Sequence, residues 1–256
     1  MITYDKKALK PLVSVITPAF NCEKTIIETY NSIKNQTCSS WEWIVVDDCS
    51  KDNTFKTIKK LCETDDRIKL FVTEQNGGAA TARNIGIEKA QGRYISFLDS
   101  DDVFKPDKLE QQINFMKEAN CAFSFTDYDI LYSNGKTRQK KSKRLVVDYN
   151  YLLKTNCIGC LTVMYDVQKI GKCFMPLDCE KREDHGAWLD ITKKGVNAYK
   201  INKSLSVYRI SNTSVSHNKA SMIKYQYRLY RQHEGFSFLK SLWYLFMCIL
   251  HKLVGR

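Results

Sequence analysis

Acidic side chains recur where apolar, β-branched runs end: Asp47-Asp48 after Trp43 to Val46, and Asp99-Ser100-Asp101-Asp102 after Tyr94 to Leu98. Carboxylates gathered at one rim of a sheet repel one another unless a cation sits among them, and hard oxygen ligands select Mg2+ or Mn2+. Such ions commonly hold substrate phosphates. A departing nucleoside diphosphate would use one to neutralise the charge that develops on it. The competing phosphate signal is Gly77-Gly78 ahead of a helical stretch. It matches neither the P-loop spacing nor the dinucleotide-binding Gly-x-Gly-x-x-Gly, and neither a kinase loop set nor a Gly-x-Ser-x-Gly elbow is present. ATPase, dehydrogenase, kinase and serine-hydrolase chemistry are therefore excluded.

The elements that must position these carboxylates read as alternating strands and helices. Val13 to Thr17 is a strand ending at Pro18, and Asn21 is placed as the cap of a helical stripe of Ile26, Tyr30 and Ile33. Trp43 to Val46 is a second strand, followed by a helix carrying Phe55, Ile58 and Leu61. Ile68 to Thr73 is a third, Ala79 to Ala90 a helix, and Tyr94 to Leu98 a fourth strand. This alternation predicts a parallel sheet with helices on both faces, and such sheets bind ligands at the carboxyl ends of their strands.

Beyond Pro106 the alternation weakens. A helix with Leu109, Ile113 and Met116 leads to an extended stretch, Ala122 to Tyr132, and a hairpin turn at Asn134-Gly135. Lys136, Arg138, Lys140, Lys141, Lys143 and Arg144 follow without an acid among them, favouring a solvated mobile loop over a phosphate site. Leu161 to Tyr165, Val196 to Ile201 and Leu205 to Ile210 read as strands, and Asp184 to Lys193 as a helix with Trp188 and Ile191 inward.

The chain has 256 residues, 43% hydrophobic and 27% charged, so it folds around a sizeable core. Its net charge of +12 attracts anions. Part of that surplus belongs to the tail, where Lys219, Lys224, Arg228, Arg231, Lys240, Lys252 and Arg256 face Glu234 alone within residues 216–256. Met1 to Lys10 is polar and lacks the features of a signal peptide. The ten cysteines are expected as reduced thiols. Cys157 and Cys160 have metal-knuckle spacing, but Cys173 and Cys179 form no second such pair and no His lies at finger spacing, which argues against zinc. Phe236 to Val254 is apolar and flanked by Lys and Arg, with an uncharged piece, Ser241 to Leu250, well short of the ~20 residues of a bilayer span. It fits a helix lying in a membrane surface, the alternatives being a helix packed on the core or between two copies.

Four motifs carry a family resemblance. Val13-Ser14-Val15-Ile16-Thr17-Pro18-Ala19-Phe20-Asn21, Val45-Val46-Asp47-Asp48-Cys49-Ser50-Lys51-Asp52-Asn53-Thr54, Asn76-Gly77-Gly78-Ala79-Ala80-Thr81-Ala82-Arg83-Asn84-Ile85-Gly86 and Gly92-Arg93-Tyr94-Ile95-Ser96-Phe97-Leu98-Asp99-Ser100-Asp101-Asp102 occur in the order and spacing of family 2 glycosyltransferases. Arg182-Glu183-Asp184-His185 resembles the family's Glu-Asp catalytic motif. The resemblance spans residues 11 to 210, with Cys49 where the family often has Gly. It implies a GT-A fold: an α/β domain with a Rossmann-like, mostly parallel central sheet and helices on both faces. Here that domain is residues 1–215, with a nucleotide-sugar half at 11–105 and an acceptor half at 106–215, followed by a basic, amphipathic helical tail at 216–256.

The resemblance also implies roles. Pro18, Phe20, Asp48, Arg83, Asp99 and Ser100 would bind the nucleotide. Phe20 would stack on uracil, Asp48 accept from its imide, Arg83 meet uracil or pyrophosphate, and Asp99 hold ribose. Asp101 would carry Mn2+ or Mg2+, with Asp102 a further carboxylate beside it. Outside the motif, Phe20 reads equally as a core residue and Arg83 as the partner of a local acid. Asp184 would be the general base, with Glu183 as the alternative and a plain acid pair at a helix start as the structural one. His185 lines the acceptor pocket or only neighbours the cap. The implied activity is inverting transfer of a hexose, glucose or galactose, from a UDP-sugar to a lipid-diphosphate-linked saccharide at the inner membrane surface, in bacterial surface polysaccharide synthesis. Transfer of an N-acetylhexosamine, or to lipopolysaccharide core or a teichoic-type polymer, is the alternative. An inert lipid- or nucleic-acid-binding protein is disfavoured, since no nucleic-acid-binding pattern is present.

Overall fold

The computed structural model describes residues 10–210 and 219–254. Its first half alternates β1 (Val13–Ala19), α1 (Ile26–Lys34), β2 (Trp41–Asp47), α2 (Thr54–Cys62), β3 (Ile68–Val72), α3 (Gly78–Lys89) and β4 (Tyr94–Phe97). These four strands pair in parallel in the order β3-β2-β1-β4. Successive side chains of a strand point to opposite faces, and the two faces bury different sets. Ile16, Ile44, Val46, Ile95 and Phe97 share one core with Ala82 and Ile87 of α3, whereas Val13, Val15, Trp43, Val45 and Tyr94 share the other with Ile26, Tyr30 and Ile33 of α1 and Ile58 of α2. Covered on both sides, β1 and β2 read as near-continuous apolar runs.

Beyond β4 come β5 (Val103–Phe104), α4 (Lys108–Glu118), β6 (Phe123–Tyr132), β7 (Thr137–Lys140), β8 (Val146–Val147), α5 (Tyr149–Leu152), β9 (Met164–Asp166), α6 (Val167–Ile170), α7 (Glu183–Lys193) and β10 (Ala198–Ile210). The same sheet continues as β4-β9-β6-β10-β5, with β9 antiparallel to β4 and to β6. Leu109, Ile113 and Met116 of α4 face the α1 side, while Ala187, Trp188 and Ile191 of α7 face the α3 side. Trp188 packs its ring against Phe97 and Phe123, at centroid distances of 6.0 and 5.4 Å. Helix α3 lies hard against β1: a Cβ at Gly86 would come within 2.5 Å of Ile16 Cγ2.

Several local expectations change. Asn21 is not a helix cap; it sits at φ +48°, its Oδ1 accepting from Lys51 N–H at 2.8 Å, and Thr25 precedes α1 instead. Leu161 and Thr162 belong to a 3-10 turn, so β9 begins only at Met164. The two expected strands after Val196 are one, β10, whose pairing with β6 shifts register between Ile201 and Ser204 and again between Ser204 and Val207. The basic run does not form a simple loop either. Its first part is β7, an edge strand paired antiparallel to β6, and exposed Lys and Arg on an edge discourage pairing with a further chain. All ten cysteines are free.

The expected boundary at residue 215 and the amino-terminal residues 1–9 lie outside the described residues. The tail holds α8 (Lys219–Arg228), a π turn over Leu229–His233 and α9 (Phe238–Val254). No helix among the described residues is long and apolar enough to cross a membrane. Helix α9 is apolar on two faces. Tyr244 and Leu245 pack on the α7-side core through Tyr230 and Phe236, whereas Phe238, Leu239, Leu242, Trp243, Phe246 and Leu253 are exposed.

Candidate active site

The sheet brings together every donor-site residue read from the sequence. Pro18, Phe20, Asp48, Arg83, Asp99, Ser100 and Asp101 all line one cleft of about 360 Å³ at the carboxyl ends of β1, β2 and β4, together with Asn76 and Gly78. Phe20 is 49% exposed at its mouth, so the reading of it as a core residue is withdrawn. An aromatic face left open in this way can stack on a base.

Asp48 is held at the start of α3. Its Oδ1 accepts from Gly77 N–H at 2.9 Å and the Thr73 hydroxyl at 2.8 Å, and its Oδ2 from Gly78 N–H at 2.7 Å. Gly78 adopts φ +81°, which a side chain would strain. A carboxylate has about four acceptor positions, so Oδ2 keeps one for a donor in the cleft. Residue 49, beside it, is left-handed at φ +62°, which explains why glycine suits that position.

Arg83 is both things the sequence allowed. Its buried guanidinium lines the cleft, with Nη2 2.5 Å from Asp99 Oδ1 and Nη1 3.6 Å from Glu183 Oε1. Burial works against its charge, but Asp99 and Glu183 outweigh that and hold the guanidinium protonated. Its Nε is buried without a hydrogen-bond partner among the described residues.

Three carboxyl groups follow β4. Burial and the neighbouring Asp99 raise the pKa of Asp101, and Asp102 is raised further by deeper burial and by both acids. Asp102 is fully buried, its Oδ1 accepting from Arg209 N–H at 2.9 Å while Oδ2 has no partner among the described residues. Two acids raised by burial and by neighbouring carboxylates, with one lone oxygen buried on Asp102, fit a divalent cation held by oxygen ligands.

A second cavity of about 270 Å³ adjoins the first and shares Arg83 and Asp99 with it. Its walls include Asp102, Tyr128, Gly159, Cys160, Lys181, Glu183, Asp184 and Tyr208. Asp184 stands in the first turn of α7, its Oδ1 accepting from His185 N–H at 2.7 Å. Glu183 is turned to Arg83, and burial raises its pKa. His185 does not reach the cavity. It is wholly buried, with Nε2 2.9 Å from the Leu152 carbonyl and Nδ1 3.4 Å from Gln226 Nε2, an arrangement that assigns Nε2–H as donor. Burial pushes its pKa down to about 4, so it is a neutral core group. Cys157 and Cys160 belong to no metal-ligating group among the described residues.

Sequence reading missed Tyr128, Lys181, Tyr208 and Arg209. Tyr128 and Tyr208 meet edge to face at 6.3 Å from adjacent strands β6 and β10. Arg209 ties the carboxylate loop to the end of β10 through the Asp101 carbonyl and Asp102. No motif marks Tyr128 and Tyr208, because the pairing of β6 with β10, across about eighty positions, assembles them.

The chain is 44% identical over 235 residues to the glycosyltransferase of Bacillus subtilis (strain 168) named for teichuronic acid biosynthesis, TuaG, covering 91% of this chain and 93% of that one. It is 40% identical to the Escherichia coli UDP-Glc:α-D-GlcNAc-diphosphoundecaprenol β-1,3-glucosyltransferase WfgD, over 84% of each chain. The S. aureus TarS structure in complex with UDP-GlcNAc shares the fold, with a TM-score of 0.69 at 20% identity over 94% of this chain and 72% of that one. The model of glycosyl transferase family 2 matches residues 14–168, which hold all four motifs but for Val13 at the start of the first. By that match and by its relatives, this chain belongs to glycosyl transferase family 2 and is a glycosyltransferase with a GT-A fold.

Proposed function

We propose that the enzyme transfers glucose from UDP-glucose, with inversion, to a saccharide linked through a diphosphate to a lipid, in the assembly of a bacterial surface polysaccharide. The observation carrying this reading is that the donor cleft and the Asp184 cavity meet at the Arg83–Asp99 pair. Two reactants placed in adjoining cavities with a carboxylate beside the junction have the layout of a direct displacement. The relatives' names support the donor and the acceptor class.

In this reading residues 11–105 hold the donor and 106–215 the acceptor. Phe20 stacks on uracil, Asp48 Oδ2 accepts from the imide N–H, Asp99 binds ribose hydroxyls, and Pro18 and Ser100 shape the cleft floor. Asp101 would hold Mn2+ or Mg2+, with the free oxygen of Asp102 beside it. Such an ion, when bound, neutralises charge on the diphosphate. Arg83 adds fixed positive charge next to the leaving group and keeps Asp99 and Glu183 in place. Asp184 takes the proton of the acceptor hydroxyl as its oxygen attacks the anomeric carbon on the face opposite UDP. Tyr128 and Tyr208 offer aromatic surface to the acceptor sugar.

The exposed side of α9, which carries Trp243 and Phe246, would lie in the headgroup region of an anionic membrane and bring the cavity to its lipid-linked acceptor. In this reading the enzyme sits peripherally on the cytoplasmic face of the membrane. The 44% relative favours a second acceptor, a teichuronic-type polymer. The test offers a panel of UDP-sugars with Mn2+ to a synthetic GlcNAc-diphosphate lipid or to polymer, read by mass spectrometry. A product gaining one hexose from UDP-glucose on the lipid is expected. Turnover of another UDP-sugar alone, or of the polymer alone, overturns the donor or the acceptor assignment.

A further inference from the structure

Away from the catalytic cleft, the loop ahead of α7 meets the π turn ahead of α9. We propose that Asp178, Cys179 and His233 there form a zinc site that fastens the tail to the catalytic domain. Asp178 Oδ1 lies 3.1 Å from His233 Nδ1 and 3.5 Å from Cys179 Sγ, and the three ligand atoms all fall within 4.8 Å of one another. Zinc bonds to nitrogen, oxygen and sulfur at tetrahedral angles set neighbouring ligand atoms about 3.3–3.7 Å apart. The side chains are therefore already near the spacing the ion requires.

Two further observations point to a ligand set. His233 presents Nδ1 to the cluster while its Nε2 lies 3.1 Å from Asp190 Oδ1 on α7, the carboxylate contact that commonly orients a metal-binding imidazole. Cys179 is buried at 2% exposure with its Sγ toward Asp178, and Gly186 packs against that sulfur so closely that a Cβ there would come within 2.9 Å of it. A thiolate, an imidazole and a carboxylate select zinc, whereas the oxygen-only rim at Asp99 to Asp102 suits Mg2+ or Mn2+. Asp178 is half exposed, which leaves water access to a fourth position. Since Cys179 and His233 are far apart in sequence, the ion would clamp α9 in one orientation on the domain.

Full-length protein stripped with chelator and reloaded with Zn2+ is expected to retain one zinc per chain by mass spectrometry of the metal, and equally so in an Asp101→Ala variant. Co2+ in its place should give a thiolate-to-metal charge-transfer band. Cys179→Ser should abolish that band, and Asp190→Asn should weaken zinc binding ~10–100-fold. Zinc at a hundredfold excess over its Kd should raise the wild-type melting temperature by ~5–10 °C. If Cys179→Ser does not fold, His233→Gln reports the same loss. A wild-type chain that retains no zinc, or a cobalt band that survives Cys179→Ser, overturns the proposal and leaves His233 as an ion-pair partner of Asp178 and Asp190.

Discussion

Arg83 Nη2 stands 2.5 Å from Asp99 Oδ1 while Nη1 of the same guanidinium stands 3.6 Å from Glu183 Oε1. One side chain thus joins the loop after β4 to the first turn of α7. Lysine keeps the charge but presents one point instead of a fork. Arg83→Lys is expected to lower kcat/KM by ~100-fold, about 2.7 kcal/mol, with the circular dichroism spectrum unchanged; activity within threefold of wild type would contradict this bridging role.

The two acids at the start of α7 separate by partner. Asp184 faces the second cavity and Glu183 faces Arg83. Asp184→Asn should reduce kcat by ~10²–10⁴-fold, the usual contribution of a general base, with the KM for the UDP-sugar nearly unchanged. Glu183→Gln keeps a polar group beside Arg83 and should cost less. The reverse ranking in steady-state rates would move the base to Glu183.

Asp48 does structural work besides facing the cleft. Replacing it with Asn turns half of its acceptor capacity into a donor aimed at Gly77 and Gly78 N–H groups. Asp48→Asn is expected to lose ~1–3 kcal/mol of stability and at least tenfold in UDP affinity, read by calorimetric melting and titration. Unchanged UDP binding would remove Asp48 from the base-recognition set.

Lys108 is wholly buried, its ammonium near Ser96 and Gln112 with no carboxylate partner among the described residues. Burial lowers its pKa from 10.5 to about 7. Between those values the unfolded chain holds a proton the folded chain lacks, so stability rises with pH across that window, at up to ~1.4 kcal/mol per unit. Lys108→Met should remove that slope from denaturant titrations between pH 7 and 10, while costing ~1–3 kcal/mol for the Gln112 oxygen left without its donor. A slope that persists in Lys108→Met would assign it to other groups.

Deleting the tail from Phe236 onward is a poorer test of membrane binding than the sequence suggests, because Phe236, Tyr244 and Leu245 pack on the core. Trp243→Asp with Phe246→Asp alters only exposed positions. This pair should abolish co-sedimentation with anionic vesicles and leave hydrolysis of the soluble donor within twofold. Unchanged sedimentation would return α9 to a role between proteins.

The donor half was legible because short-range signals build it. β1 and β2 are apolar runs, the carboxylates fall at or just past the ends of β2 and β4, and α3 opens at a glycine pair, so each site segment sits beside its own strand or helix signal in the sequence. The acceptor half was not. Tyr128 and Tyr208 meet only through β6–β10 pairing, and β10 hides as two strands because its register shifts fall at Asn202 to Ser206, a polar interruption. Asn21 misled for a local reason: asparagine tolerates the left-handed region as readily as it caps helices. The Asp178–Cys179–His233 cluster was invisible, since its members have no common spacing.

Gly86 sets a limit on how this active site can be altered. With Ile16 Cγ2 only 2.5 Å from where a methyl would sit, any larger residue must displace either the Ile16 side chain or α3 itself. Arg83 rides on that helix, and Pro18 and Phe20 lie at the end of that strand. The width of the cleft is therefore gauged by a hydrogen atom between helix and strand, and efforts to reshape it will succeed at its lip before they succeed at its hinge.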